Sequence, residues 1–198
     1  MNSNITKLTL FNVIDSCSVW NILSSRLIFR ASVEAGCYFS LTNYVSYECL
    51  FKKRKKEVEE SIISSLKREI ETKRFMNCNI TIDDLQEISI LENRKKLGKG
   101  ELSSIVFAKK TRQAFLTDDR KARNLAIQVL GSEFVQTTPH LVGFCFYKRY
   151  LTDSDINILI AEHQTSLTSS WGDLSRFFRE AYEESLKIGL LETHFGQK

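Results

Sequence analysis

The tightest constraint on this chain is an alternation: short apolar runs, each ending at a polar corner, followed by stretches with helical periodicity. Residues 8–14 alternate and then run apolar into Asp15. Val19, Trp20, Ile22, Leu23, Leu27, Ile28 and Ala31 then recur at helical spacing up to Gly36, with Ser16 or Ser18 able to cap that helix. Residues 37–41 read as a second strand, and Thr42 or Asn43 starts a helix carrying Tyr44, Val45 and Glu48. Residues 114–117 read as a third strand, followed by a helix from Asp119 to Leu130 that Gly131 closes. Residues 133–137 read as a fourth, and Thr138-Pro139 opens another helix with proline at its first position. Strands alternating with helices predict an open, mostly parallel sheet whose site lies outside the carboxyl ends of the strands.

Between the second and third of these strands the chain is longer. Residues 52–74 read as a charged helix with an apolar stripe of Val58, Ile62, Ile63, Leu66 and Ile70. Residues 75–82 read as a connection or short extended piece. Asp83 and Asp84 then open a helix running to Leu97, most simply as capping acids. Gly98-Lys-Gly-Glu101 is a glycine turn opening a helix of Leu102, Ile105, Val106 and Ala108, with small residues suited to lying close on a sheet. Beyond Tyr150 two more helices are expected, over 154–164 and 171–191. The aromatic stripe of the second reads first as core packing, against its own domain, a second copy or a different protein. There is no internal repeat. A chain of 198 residues fits one domain with a helical appendage.

The polar corners carry acids: Asp15, Glu48, Glu101, Asp118 and Asp119. Any one of them has a structural explanation, because unsatisfied N–H groups at a helix start favour anions. Several at one sheet edge do not. Carboxylates gathered without histidine or cysteine form a hard-oxygen site suited to Mg²⁺ or Mn²⁺ and poorly suited to zinc. Such ions neutralise a phosphodiester and activate water, which is nuclease chemistry. The net charge of +4 announces no nucleic-acid binding alone, but its placement does more: Lys99, Arg120, Lys121 and Arg123 flank the acids, with Lys95 and Lys96 nearby. The run Lys52, Lys53, Arg54, Lys55, Lys56 either grips phosphates or is simply the solvated face of its helix.

Other chemistries find no support. Gly98-Lys-Gly-Glu lacks the spacing of a phosphate-binding loop. Five cysteines without a C-x-x-C pair read as reduced thiols of a cytoplasmic protein, and three scattered histidines as structural or surface residues. No apolar run approaches the ~20 residues of a membrane span, and residues 1–15 read as a first strand and not a secretory leader.

The runs Val13-Ile-Asp15-Ser-Cys-Ser-Val-Trp, Leu41-Thr-Asn-Tyr-Val-Ser-Tyr-Glu48-Cys-Leu, Gly98-Lys-Gly-Glu101 and Phe115-Leu-Thr-Asp-Asp119-Arg-Lys-Ala-Arg together resemble the PIN domain. Its members include the metal-dependent ribonuclease toxins of toxin–antitoxin pairs. The resemblance implies a three-layer α/β/α fold with a central, mostly parallel four- or five-stranded sheet over residues 1–150. It leaves a helical insertion at about 52–82 and a helical extension at 151–198. By position it implies Asp15, Glu48, Glu101 and Asp119 as metal-binding and catalytic acids, with Asp118 a neighbouring candidate ligand. The expected activity is Mg²⁺- or Mn²⁺-dependent cleavage of RNA, controlled by a regulatory or antitoxin-like partner, as in a toxin or a defence-system effector. A homodimer is compatible with the family and with the apolar terminal helix. The alternatives are a DNase using the same acids and a catalytically weak PIN-like scaffold subunit.

Overall fold

The computed structural model describes residues 5–52, 57–93, 96–166 and 172–195. Lys53, Arg54, Lys55, Lys56, Lys95 and Trp171 lie outside the described residues, as does the side chain of Val58. The strands are β1 (Phe11–Ile14), β2 (Tyr38–Thr42), β3 (Phe75–Cys78), β4 (Ala114–Leu116) and β5 (Val135–Gln136). The helices are α1 (Ser16–Leu23), α2 (Arg26–Glu34), α3 (Asn43–Leu50), α4 (Glu57–Glu71), α5 (Ile82–Glu92), α6 (Lys99–Thr111), α7 (Arg120–Leu130), α8 (Thr138–Tyr147), α9 (Asp155–Ser166) and α10 (Ser175–Phe195). The contacts divide into two compact units, one of Thr9–Trp20 with Cys37–Thr137, the other of Met1–Leu8, Asn21–Gly36 and Thr138–Lys198.

The first unit is an α/β fold. Among the described residues its five strands form one all-parallel sheet in the order β3-β2-β1-β4-β5. In β1, Val13 and Ile14 are fully buried, as expected of a strand covered on both faces. Asn12 beside them is buried too, and a closed hydrogen-bond set satisfies it: its Nδ2 donates to Thr9 O at 2.7 Å, and Gln136 Nε2 donates to its Oδ1 at 2.5 Å. Gln136 also binds the backbone of Thr9, accepting from its N–H at 2.7 Å. Helix α6 crosses β1, β2 and β4, and α3, α5 and α7 pack around it. Its buried Ser103, Ser104 and Ala108 permit that close approach, while Leu102, Ile105 and Val106 fill the core with Val13, Phe115 and Leu125. On the β2 side, Phe39 stacks on Phe75 with ring centres 5.0 Å apart.

Several boundaries differ from the sequence reading. The helix expected from Ser16 or Ser18 to Gly36 is two helices, because serines offer the chain a local alternative to the helical ladder. Ser24 Oγ donates to Asn21 O at 2.7 Å, and Ser25 Oγ accepts the N–H of Ile28 at 3.2 Å as the N-cap of α2. The cap of α1 is Asp15 and neither serine. Residues 75–78 are a full edge strand, so the stretch 52–82 supplies both α4 and part of the sheet. Asp84 does cap, in a reciprocal box with Thr81, but α5 stops at Glu92, short of Leu97. The expected strand over 133–137 begins as a 3₁₀ turn, Ser132–Phe134, leaving two residues to β5.

In the second unit, α10 lies along α8 and meets α9, which also packs on α2. A Cβ built on Gly143 of α8 would stand 3.2 Å from Ala181 Cβ and 3.3 Å from Ala181 O, so glycine permits this crossing. His163 is fully buried and fully partnered. Its Nε2 accepts the Leu174 N–H at 3.1 Å, which fixes the proton on Nδ1, 2.7 Å from Ser24 Oγ. This is the structural role expected of it. No helix among the described residues is long and apolar enough to cross a membrane.

Candidate functional site

In the parallel sheet the chain leaves β1 toward β2 on one side and returns to β4 on the other. The carboxyl ends of β1 and β4 therefore flank the point where the strand order reverses, the usual place for a site in such sheets. Register pairs Ile14 with Leu116, so Asp15 and Thr117, the next residues of each strand, are brought side by side. The Thr117 hydroxyl donates to Asp15 Oδ2 at 2.5 Å, and the Ser18 N–H donates to Oδ1 at 2.8 Å. Both carboxylate oxygens are thus fixed. Asp15 is nevertheless buried, and desolvation raises its pKa from 3.8 to about 7 against the lowering effect of those hydrogen bonds, with a further rise from Asp118.

The loop after β4 carries the next two acids. Ser18 Oγ donates to Asp118 Oδ2 at 3.2 Å and accepts the Asp118 N–H at 3.0 Å, tying that loop to the first turn of α1. Asp119 is the N-cap of α7: its Oδ1 accepts the Ala122 N–H at 2.7 Å, while its own N–H donates to Thr117 Oγ1 at 3.2 Å. Thr117 therefore orients both acids. Sequence reasoning gave Thr117 and Ser18 no such role; the signal was a hydroxyl one residue past an apolar strand, opposite an acid in register.

Glu101 and Glu48 come from helices. Gly98 is the N-cap of α6, and Glu101 in its first turn folds back so that Oε2 occupies the space a Gly98 side chain would need. That oxygen is buried without a hydrogen bond of ordinary geometry. Desolvation raises the Glu101 pKa, Glu48 and Asp119 add to the rise, and the nearby N–H groups of Glu101 and Gly98 oppose it. The Glu48 carboxylate lies against Gly100, where a Cβ would approach Oε2 to 2.7 Å. Cys17 lies within reach of several of these charges: its thiol is pushed far up, first by burial and then by Asp15, Glu101, Asp118 and Asp119. With Glu48 coupled to Glu101, the five sequence-predicted acids belong to one neighbourhood.

The donor set is carboxylate oxygen, including one buried oxygen without a hydrogen bond of ordinary geometry, and it fits a hard divalent cation. As they stand, no three Asp, Glu, His or Cys side chains among the described residues are gathered closely enough to hold an ion. Like charges repel, and convergence on a cation requires side-chain rotation that the ion's charge offsets. Around the acids, Lys99, Arg120 and Lys121 are exposed and Arg123 is partly buried. Lys96 and Lys121, with Leu97 and Asn124, line a shallow cleft of about 320 Å³. Lys52 is exposed at the end of α3, and Lys53 and Arg54 of the same basic run are outside the described residues. No family model, curated protein or solved structure matches the chain.

Proposed function

We propose that the chain is a Mg²⁺- or Mn²⁺-dependent nuclease of PIN-like fold that hydrolyses phosphodiester bonds of RNA. The observation carrying this reading is the register of β1 against β4, which sets buried Asp15 beside Thr117 and the Asp118–Asp119 loop at the reversal point of a parallel sheet. Capping alone accounts for one oxygen each of Asp15 and Asp119. It gives no reason to bury Asp15 with a pKa near neutrality, nor to bury Glu101 Oε2 without a hydrogen bond of ordinary geometry.

Asp15, Glu48, Glu101 and Asp119, with Asp118 beside them, would hold the ion. Bound there, it would neutralise the phosphodiester and lower the pKa of a water. The chain's own residues prepare the site. Thr117 and the Ser18 N–H aim Asp15, Thr117 also positions Asp119, and Gly98 and Gly100 leave room for the two glutamates. Lys99, Arg120 and Lys121 favour a polyanion at the rim.

The test is cleavage of labelled tRNA, unstructured RNA and single-stranded DNA in Mn²⁺, beside Asp15→Asn and an EDTA control. Cleavage of the RNAs by the wild type alone, and only with metal, is expected. Cleavage retained in Asp15→Asn refutes the assignment.

A further inference from the structure

Two aromatic rings are left over by the fold. Tyr47 on α3 and Phe51, the C-cap of that helix, are 63% and 71% exposed, and they stack on each other with ring centres 6.1 Å apart and planes 23° from parallel. Neither contributes to the core, and aromatic surface of this size is ordinarily buried. Glu48 is the immediate neighbour of Tyr47 and stands three residues before Phe51, a spacing that adjoins on a helix surface. The ring pair therefore borders the face whose carboxylate rests against Gly100. Beyond it, the N–H groups of Phe51 and Lys52 both donate to Tyr47 O, at 3.0 and 3.2 Å, and this turn holds the exposed Lys52 directly after the rings. Another stacked pair, Phe11 with Tyr38, lies at the starts of β1 and β2, at the opposite ends of those strands from the acids.

We propose that Tyr47 and Phe51 are a stacking platform for an unpaired base of single-stranded nucleic acid, with Lys52 taking the adjoining phosphate. The inference rests on the nuclease reading and gives it a substrate class. An exposed ring face accepts any base, so the platform is sequence-tolerant, whereas bases within a duplex are already stacked and unavailable. Exposed stacked rings followed directly by an exposed lysine suit a base and its phosphate. An apolar peptide would have to desolvate that ammonium.

The test measures binding of labelled U12 RNA, dT12 DNA and a 12-base-pair duplex by fluorescence anisotropy in EDTA, where metal-dependent cleavage is absent. The full chain is compared with Tyr47→Ala/Phe51→Ala and with Tyr47→Phe/Phe51→Tyr, which keeps both rings. Single strands should bind the wild type more tightly than the duplex. The alanine pair should lose about tenfold or more in single-strand affinity, and the ring-preserving pair should not. Hydrolysis of bis(p-nitrophenyl) phosphate in Mn²⁺ should be the same in all three proteins. Unchanged single-strand affinity in the alanine pair overturns the proposal, as does equal loss on single strand and duplex, or a wild type that binds no single strand. So does a wild-type dimer that the alanine pair makes monomeric, since a second copy would then cover the rings. Single-strand binding that depends on the rings, without any metal-dependent cleavage, would retain the platform and remove the nuclease reading instead.

Discussion

Replacing Asp15 by Asn should stabilise the metal-free protein at alkaline pH and destabilise it in acid. The sign follows from linkage. A carboxyl whose folded pKa is about 7 against 3.8 holds its proton more tightly in the folded state, so stability falls as pH rises between those values. About 3 pH units at 1.36 kcal/mol each give a loss of about 4 kcal/mol, complete just above pH 7. An asparagine has no such titration. It keeps the acceptor for the Ser18 N–H but offers Nδ2 where the Thr117 hydroxyl needs an acceptor, and an unmade buried hydrogen bond costs about 1–2 kcal/mol. The balance is a variant more stable than wild type by about 2 kcal/mol at pH 8 and less stable by about 1–2 kcal/mol at pH 4. Urea denaturation in EDTA at pH 4, 6 and 8, followed by the fluorescence of buried Trp20 in a Trp171→Phe background, measures both arms. Parallel pH curves for the two proteins, or a variant weaker at pH 8, would refute the burial argument.

Other outcomes follow from the same geometry. Thr117→Val removes the donor to Asp15 and the acceptor for the Asp119 N–H, and should cost about 1–3 kcal/mol by urea denaturation. Gly100→Ala pushes the Glu48 carboxylate aside without touching the core, so calorimetry should find Mn²⁺ affinity reduced about tenfold or more while the melting temperature barely moves. Gly143→Val forces apart the α8–α10 crossing and should destabilise the chain by about 1–3 kcal/mol in thermal melts, with its Mn²⁺ affinity intact.

The sheet was legible because its signals are local. The apolar run Val13-Ile14 ended at Asp15 and Ala114-Phe115-Leu116 ended one residue before Asp118-Asp119, and Gly98, Asp119 and Gly131 punctuated the helices where they stand. What escaped depended on partners far along the chain. The strand β3 contains Asn77 and exposed Met76, so it reads as a connection or short extended piece until β2 pairs with it. The break at Ser24-Ser25 interrupts a good helical pattern and is held in part by Glu162, whose Oε2 accepts from Ser25 Oγ at 2.6 Å. The acids were legible as corners of one sheet edge, but the hydrogen bonds that fix them were not, because spacing does not say which hydroxyl or N–H each carboxylate meets. Thr117 was missed for the same reason: its meaning comes from the register of β1 against β4.

That register also bears on how a metal would be felt. The strand-borne half of the site is rigid: Asp15, Thr117 and Asp119 are linked by hydrogen bonds that begin in backbone pairing. Glu48 and Glu101 reach in from helices, beside glycines that leave their carboxylates room to turn. A cation binding here must displace the proton that Asp15 holds below about pH 7, so its affinity should rise with pH and binding should release that proton. Mn²⁺ at one hundred times its dissociation constant adds about 2.7 kcal/mol to the folded state. The resulting shift in melting temperature should therefore grow between pH 6 and pH 8 in the wild type and vanish in Asp15→Asn. A shift of equal size at both pH values would mean that the ion binds elsewhere, and that Asp15 is buried for the fold alone.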